Sequence, residues 1–401
     1  MTDARPQSTD YRPDIDGLRA IAVLAVIFFH LHESLLPGGF VGVDVFFVIS
    51  GFLITRNILR EIECGAFSLL EFYRRRVKRI APAMLVVVAV TLLFSQLLML
   101  PEDARSASRS AFASVASLAN VYFWLFTDKS YFAVSTRELP FLHLWSLGVE
   151  EQFYLLWPLA LVLLYRPWRA LRFAAGMLTL AIGSFALAQA LVADHPEFTY
   201  YMLPTRAGEF ALGALVAIAV VKRAQPRWPS PAVAWLAAIG MTMLVGSLVL
   251  LRGRVPFPGW LAVPPTLGTA MIIYAGHCGT SAVSRVLATR GLVWIGLLSY
   301  SAYLWHWPLL RSIATATARS GSRKRSRCSL SRWRWRGCRI GSWSFPREDL
   351  PPPPCGSLRG SMSFRAPVSC SSRFARCIRF RSVRCPRTRM PTASAWRTCV
   401  K

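Results

Sequence analysis

Acidic residues are scarce in this 401-residue chain: 20 Asp and Glu stand against 47 Lys and Arg, a net charge of +27. Charged residues of either sign make up only 17%, where a soluble domain usually has about a quarter. That shortage argues against an ordinary soluble enzyme, and a 54% hydrophobic content excludes a disordered chain. Phosphate-loop, dinucleotide-fold and zinc-hydrolase signatures are also missing: no G-x-x-x-x-G-K-[ST], no G-x-G-x-x-G after a strand and no H-E-x-x-H occurs. No serine elbow interrupts the apolar part, and no internal repeat marks it as an inverted-repeat transporter. Regular C-x2-C pairs are absent, so the nine cysteines do not read as a zinc site and no metal is expected.

What is present is unevenly spread. Residues 319–401 hold 21 of the 47 basic residues, two of the 20 acids (Glu348 and Asp349) and seven of the nine cysteines. The rest of the chain has a net charge of only +8 and two cysteines, Cys64 and Cys278. Two polypeptides of different character therefore meet near residue 318. The expected organisation is a membrane domain over 1–311 and a basic Arg/Ser/Cys/Pro-rich tail over 312–401.

A spanning helix needs roughly 20 mostly apolar residues to cross the hydrocarbon core. Nine stretches qualify: 16–36, 39–58, 81–101, 144–165, 173–193, 206–222, 231–251, 260–276 and 291–311. The expected fold is all-α, a polytopic bundle of about nine transmembrane helices. The first stretch does not read as a cleavable signal, since it carries Asp14, Asp16 and Arg19 at its start. Basic loops follow every even stretch: Arg74–Arg79, then Arg166, Arg169 and Arg172, then Lys222, Arg223 and Arg227, then Arg285 and Arg290. By the positive-inside rule these loops and the N terminus are cytoplasmic.

Ionisable groups inside a bilayer are costly and face a protein interior or a watery cavity. His30, His143, Glu150, Glu151, Arg206, Glu209 and His306 come from four stretches, and all fall in the outer half by this orientation. Each also has a plainer reading. His143 sits at a span end, where an interfacial histidine is common. Glu150 and Glu151 serve equally as partners for arginines. Arg206 and Glu209, at i,i+3, make a structural pair. The run Arg74–Arg79 sets topology and touches anionic lipid, or grips a phosphate-bearing donor through bidentate guanidinium contacts.

Five segments carry a family resemblance: Tyr11–Val23 (YRPDIDGLRAIAV), Gly39–Thr55 (GFVGVDVFFVISGFLIT), Phe72–Pro82 (FYRRRVKRIAP), His143–Pro158 (HLWSLGVEEQFYLLWP) and Ser299–Pro308 (SYSAYLWHWP). In this order, over about residues 11–311, they resemble the acyltransferase-3 family of bacterial integral-membrane O-acyltransferases. The opening is similar to the branch that often carries a C-terminal SGNH domain, which is not readable here. The resemblance implies transfer of an acyl group, commonly acetyl, from cytosolic acyl-CoA to a hydroxyl of an extracytoplasmic glycan. The donor is a substrate, and no bound cofactor is implied. A glycan or lipid-linked saccharide and membrane lipid are the expected partners, with no nucleic acid.

By position, Arg19 and His30 match the family's R-x10-H, and Arg76 and Arg79 its R-x-x-R. Glu150 and Glu151 fall in its fourth-span signature. The chemistry fits these residues: a neutral imidazole takes the proton of a poor sugar nucleophile, so His30 is the expected general base, with a glutamate to orient it. Arg19, Arg76 and Arg79 are the expected donor-binding groups; His143, Arg206, Glu209 and His306 complete the polar cluster. The competing readings are a transporter or flippase of a glycan or lipid intermediate, and an inactive truncated fragment.

The resemblance also implies a tenth span closed by a Val-Glu-x-Pro-like motif. Residues 319–346 offer none in the frame as written. Reread one base out of register with permitted GC-rich codons, the same stretch becomes an apolar helix ending in that motif. The expectation is a frameshift near residues 311–319, set against a genuine basic tail.

Overall fold

A computed structural model of the chain describes residues 11–126, 131, 139–165, 170–222, 228–253 and 255–311. The tail 312–401, with the expected frameshift and tenth span, lies outside the described residues. So do the basic loop residues Arg166, Arg169, Arg223 and Arg227.

Among the described residues every regular element is helical, and each of the nine apolar stretches falls on a helix. In chain order these are α1 (Pro13–Leu31), α2 (Gly42–Glu63), α3 (Leu69–Leu98), α4 (Pro101–Val115), α5 (Ala119–Phe126), α6 (Leu144–Leu164), α7 (Ala170–Leu191), α8 (Pro196–Tyr201), α9 (Leu203–Lys222), α10 (Ser230–Leu250), α11 (Val263–Cys278), α12 (Ala282–Leu287) and α13 (290–311). Six segments are long and apolar enough to cross a membrane by length and composition alone: α2 with the turn before it, α3, α6, α7, α8–α9 and α10. The chain is an all-α polytopic membrane bundle.

Local chemistry explains the helix starts. Pro13 opens α1 at a position where its missing N–H costs nothing, and Asp14 and Asp16 lie against the positive end of the helix. The Ser68 side chain accepts the Glu71 N–H to cap α3. That helix begins twelve residues before the apolar run at 81. Its 30 residues span about 45 Å, longer than the hydrocarbon core. The basic segment 74–79 is therefore helical, as Arg and Lys propensity allows, and not a loop. The interval between the third and fourth apolar stretches contains α4 and α5. α4 carries too many polar residues to register as a span, and α5 is too short.

The core centres on α2, buried over most of its length, with α9 against it. Glycine permits that crossing: a Cβ on Gly51 would run into the Phe210 carbonyl, and one on Gly213 into the Val48 carbonyl. Small residues at such contacts let helix backbones approach and gain packing energy that apolar lipid does not supply. α6 is pinned to α2 by the Trp157 indole N–H donating to the Thr55 hydroxyl at 2.7 Å. The outer helices present leucine, valine and aromatic side chains outward, among them Leu93 and Phe94 of α3, Leu156 and Leu163 of α6, and Trp235 and Val249 of α10. An apolar exterior around a core that holds buried charge is what lipid as the surrounding solvent demands.

Candidate active site

Three groups of polar residues within the described bundle hold most of the candidate residues. The first is a histidine cluster built from α1, the entry to α6, and α13. His30 Nδ1 lies 3.0 Å from His306 Nε2, and the two rings lie edge to edge and nearly coplanar, their centroids 5.2 Å apart at an interplanar angle of 14°. On its other side, His30 Nε2 lies 2.9 Å from the Tyr131 hydroxyl. His306 Nδ1 contacts the Tyr303 carbonyl one turn earlier in α13. His143 Nε2 bonds the Leu304 carbonyl at 3.1 Å, and its ring sits edge-on to His306 at 5.6 Å. Trp307 closes the cluster, 4.6 Å from His30, its indole N–H donating to the Leu139 carbonyl at 2.8 Å. The three imidazoles meet through a hydrogen bond and an edge-on ring contact, not through converging lone pairs. Among the described residues no group of His, Cys, Asp or Glu is arranged to hold a metal ion.

The second group lines a cavity of about 140 Å³ bounded by α1, α2, α3, α6 and α13. Arg19, Arg76 and Arg79 converge on it, with one acid, Glu150, opposite. Glu150 accepts from the hydroxyls of Ser50 and of Tyr154, the latter at 2.6 Å. Arg76 lies over the rings of Phe72 and Tyr154, at 5.4 and 5.5 Å. Arg19 reaches Asp16 at 3.3 Å, one turn back on α1. Three guanidiniums against Glu150 in the cavity and Asp16 beside Arg19 still leave an excess of positive charge, which suits a phosphate-bearing ligand. Glu151 does not line this cavity; its carboxylate faces Ser117.

Two cavity-lining residues connect the first two groups. Ser146 and Tyr303 share a hydrogen bond at 2.6 Å, and the Tyr303 hydroxyl donates to the His143 carbonyl at 2.9 Å. The cavity thus ends against the residues that hold the histidines.

The third group is buried between α2 and α9. Arg206 pairs with Glu209 at 3.0 Å and with Asp44 at 3.3 Å, all three shut off from the surface. Phe47, Trp145, Tyr200 and Phe257 surround the guanidinium, each ring centroid 5.5–5.7 Å from it. Arg206 and Glu209 make the i,i+3 contact that their spacing allows. An aromatic layer separates them from the histidines, since Tyr131 stacks on Tyr200 at 4.5 Å and Trp145 lies 6.1 Å from Tyr131.

The matched family describes an acyltransferase domain and covers residues 12–335. The chain belongs to the acyltransferase-3 family. It is a multi-pass membrane protein of that family by its apolar helices and its relatives alike. It is 36% identical over 317 residues to the peptidoglycan O-acetyltransferase OatA of Listeria monocytogenes, covering 76% of this chain and 50% of the relative. It is 32% identical over 321 residues to the O-acetyltransferase OatA of Staphylococcus aureus, covering 76% of this chain and 51% of the relative. The chain therefore spans about half the length of these curated relatives. No solved structure matches it.

On this acyltransferase fold the R-x10-H segment serves two places at once: Arg19 lines the cavity and His30 stands in the histidine cluster. The R-x-x-R segment brings Arg76 and Arg79 to the same cavity from α3. Several polar partners escaped the sequence reading. Asp44 is a lone acid within an apolar span, a signal strong enough to have been singled out. Tyr303 and Ser146 lie three residues from His306 and His143, so helical spacing put them on the same faces. Ser50 and Tyr131 carried no readable signal, because their partners are about a hundred residues away.

Proposed function

We propose that the chain is the membrane domain of an O-acyltransferase that moves an acyl group, commonly acetyl, from cytosolic acyl-CoA to a hydroxyl of a cell-envelope glycan. The observation that carries this reading is the three-arginine cavity abutting the histidine cluster through Ser146 and Tyr303. Arg19, Arg76 and Arg79 hold the phosphates of the donor, and the pantetheine arm points its thioester toward His30. The names of the OatA relatives support acetyl as the acyl group and peptidoglycan as an acceptor of this class. The domain lies in the bacterial inner membrane with its N terminus and the Arg74–Arg79 face cytoplasmic, so the histidines lie toward the outer side.

The reaction balances on these residues. His30 Nε2 takes the proton of the glycan hydroxyl as its oxygen bonds to the thioester carbonyl carbon. The C–S bond breaks, and the proton passes to the departing thiolate to leave free CoA. Glu150, held by Ser50 and Tyr154, balances part of the arginine charge and keeps the cavity polar. Glu151 supports α6 near Ser117. His143 steadies α13 through the Leu304 carbonyl, and the Asp44–Arg206–Glu209 group holds α2 to α9. Residues 312–401 are an out-of-frame tail, which the nucleotide sequence across codons 305–350 tests directly.

The test is transfer of radiolabelled acetyl from acetyl-CoA to peptidoglycan fragments by the full chain in sealed vesicles, beside the frame-corrected chain. Labelled glycan from the parent and loss of label with His30→Ala are the expected results. Undiminished labelling by His30→Ala would overturn the base assignment. Transport of an unmodified saccharide with no acylation by either chain would favour the flippase reading.

A further inference from the structure

The hydrogen bonds of the histidine cluster determine which nitrogens carry protons. A carbonyl oxygen only accepts, so the contact of His306 Nδ1 with the Tyr303 carbonyl places a proton on that Nδ1. In a neutral ring the other nitrogen is then an acceptor. His306 Nε2 therefore offers a lone pair to His30 Nδ1, 3.0 Å away, which must donate. By the same logic His30 Nε2 presents a lone pair, and the Tyr131 hydroxyl, 2.9 Å from it, donates there. The direction is set throughout: Tyr131 O–H to His30, His30 to His306, and His306 to the α13 backbone.

We infer that His306 is a positioning residue, which locks His30 in the Nδ1-protonated tautomer and thereby turns the Nε2 lone pair toward the acceptor hydroxyl. This rests on the acyl-transfer reading proposed above and adds the residue that orients the base. The role expected of a glutamate is filled by an imidazole whose own proton is anchored by the backbone of α13. When His30 takes the acceptor's proton, its Nδ1–H stays bonded to His306 Nε2, which stabilises the imidazolium until the thiolate recovers the proton. The coplanar bond to His306 and the edge-on contact with Trp307 restrict rotation of His30. The Tyr131 hydroxyl stands where an acceptor hydroxyl would have to come, so it marks the direction of approach.

Two variants of the full chain separate this role from packing. His306→Gln keeps an acceptor near the Nε2 position; His306→Phe keeps the ring volume and removes the acceptor. Loss of the correct tautomer of a catalytic histidine costs up to about 10⁴-fold in kcat in the best-studied triad. For His306→Phe the expected loss is about 10²–10⁴-fold in kcat with the acceptor KM unchanged, while His306→Gln stays within about tenfold of the parent. Equal losses in both variants, at parental thermal stability, would overturn the acceptor role, as would an unchanged rate in the Phe variant. A second measurement needs no turnover and no change at His306: ¹⁵N chemical shifts of the histidine-labelled parent in nanodiscs, with His30 assigned by difference from a folded His30→Ala variant. Protonation of His30 on Nδ1 is expected, and protonation on Nε2 would overturn the inference. If the shifts agree and the parent moves no acyl group, the acyl-transfer reading fails while the tautomer assignment stands.

Discussion

Removing the guanidinium from the Asp44–Arg206–Glu209 group is the sharpest test of how the bundle is held. Arg206 is 1% exposed, with Glu209 at 3.0 Å and Asp44 at 3.3 Å, and both acids are wholly buried. In Arg206→Met two buried carboxylates remain between α2 and α9 with no cation. Breaking a buried ion pair by deleting one partner typically costs about 3–5 kcal/mol. At about 1.4 kcal/mol per decade, the folded-to-unfolded ratio falls by two to nearly four orders of magnitude. The four aromatic faces around the guanidinium lose their cation as well, which adds to the loss. The triple variant Asp44→Asn, Arg206→Met, Glu209→Gln removes every charge together and recovers most of that loss, because replacing a whole buried ion group is often close to neutral. As a control, Arg75→Gln breaks a half-exposed pair with Glu61 at 2.8 Å and costs less than about 1 kcal/mol. The assay is reversible denaturant unfolding in lipid–detergent micelles, followed by tryptophan fluorescence with Trp145 as the local reporter. A single variant within about 1 kcal/mol of the parent, or a triple variant less stable than the single, would refute the reasoning.

Further outcomes rest on independent contacts. Gly213→Leu drives a side chain into the Val48 carbonyl and prevents the α2–α9 crossing, so the variant elutes as aggregate in fluorescence-detected size-exclusion chromatography while Gly183→Leu, in open space, stays monodisperse. Thr55→Val leaves the buried Trp157 indole N–H without its acceptor and lowers unfolding stability by about 1–3 kcal/mol. On the proposed function, Arg76→Gln and Arg79→Gln each raise the KM for acetyl-CoA by about 10–150-fold, the worth of one charge-assisted hydrogen bond, whereas His30→Ala lowers kcat.

Helix positions were legible because burial in lipid requires long apolar runs, and such runs are one-dimensional. All nine stretches lie on helices, and most boundaries agree within a few residues. Errors came where charge and helicity part company. The basic segment of α3 was assigned to a loop because it is not apolar, yet Arg and Lys favour helix and the Glu71–Arg74 contact reinforces it. The candidate residues were legible as types, since charge within a span is rare enough to stand out. Their grouping was not. Arg206 and Glu209 were placed with the histidines by depth alone, but they are bound to Asp44 behind the layer of Tyr200 and Trp145. The glutamate expected beside His30 stands instead among Ser50, Tyr154 and the arginines. Depth along a helix follows from residue number, whereas the facing direction depends on how the helices are rotated against one another.

The geometry also bears on how a charged donor on one side serves a base on the other. Arg19 and His30 are eleven residues apart on one helix, about 16 Å by helical rise. Neither has to move for both to act, provided a ligand bridges the interval. The cavity that begins at Arg19, Arg76 and Arg79 reaches Ser146 and Tyr303, and Tyr303 uses its hydroxyl to hold the His143 carbonyl and its own carbonyl to hold His306. One residue thus forms the cavity's inner end and anchors the histidine that orients His30. On the proposed function this arrangement favours a direct reach of the pantetheine arm over a relay through a distant acyl-enzyme. The phosphates stay with the arginines while the thioester passes Ser50 and Ser146 toward the imidazole. A donor truncated at the phosphates would then lose affinity but keep its chemistry, whereas one with a shortened arm would bind and fail to react. That contrast is the kinetic signature of a tethered reach, and a two-step relay within the cavity would not produce it.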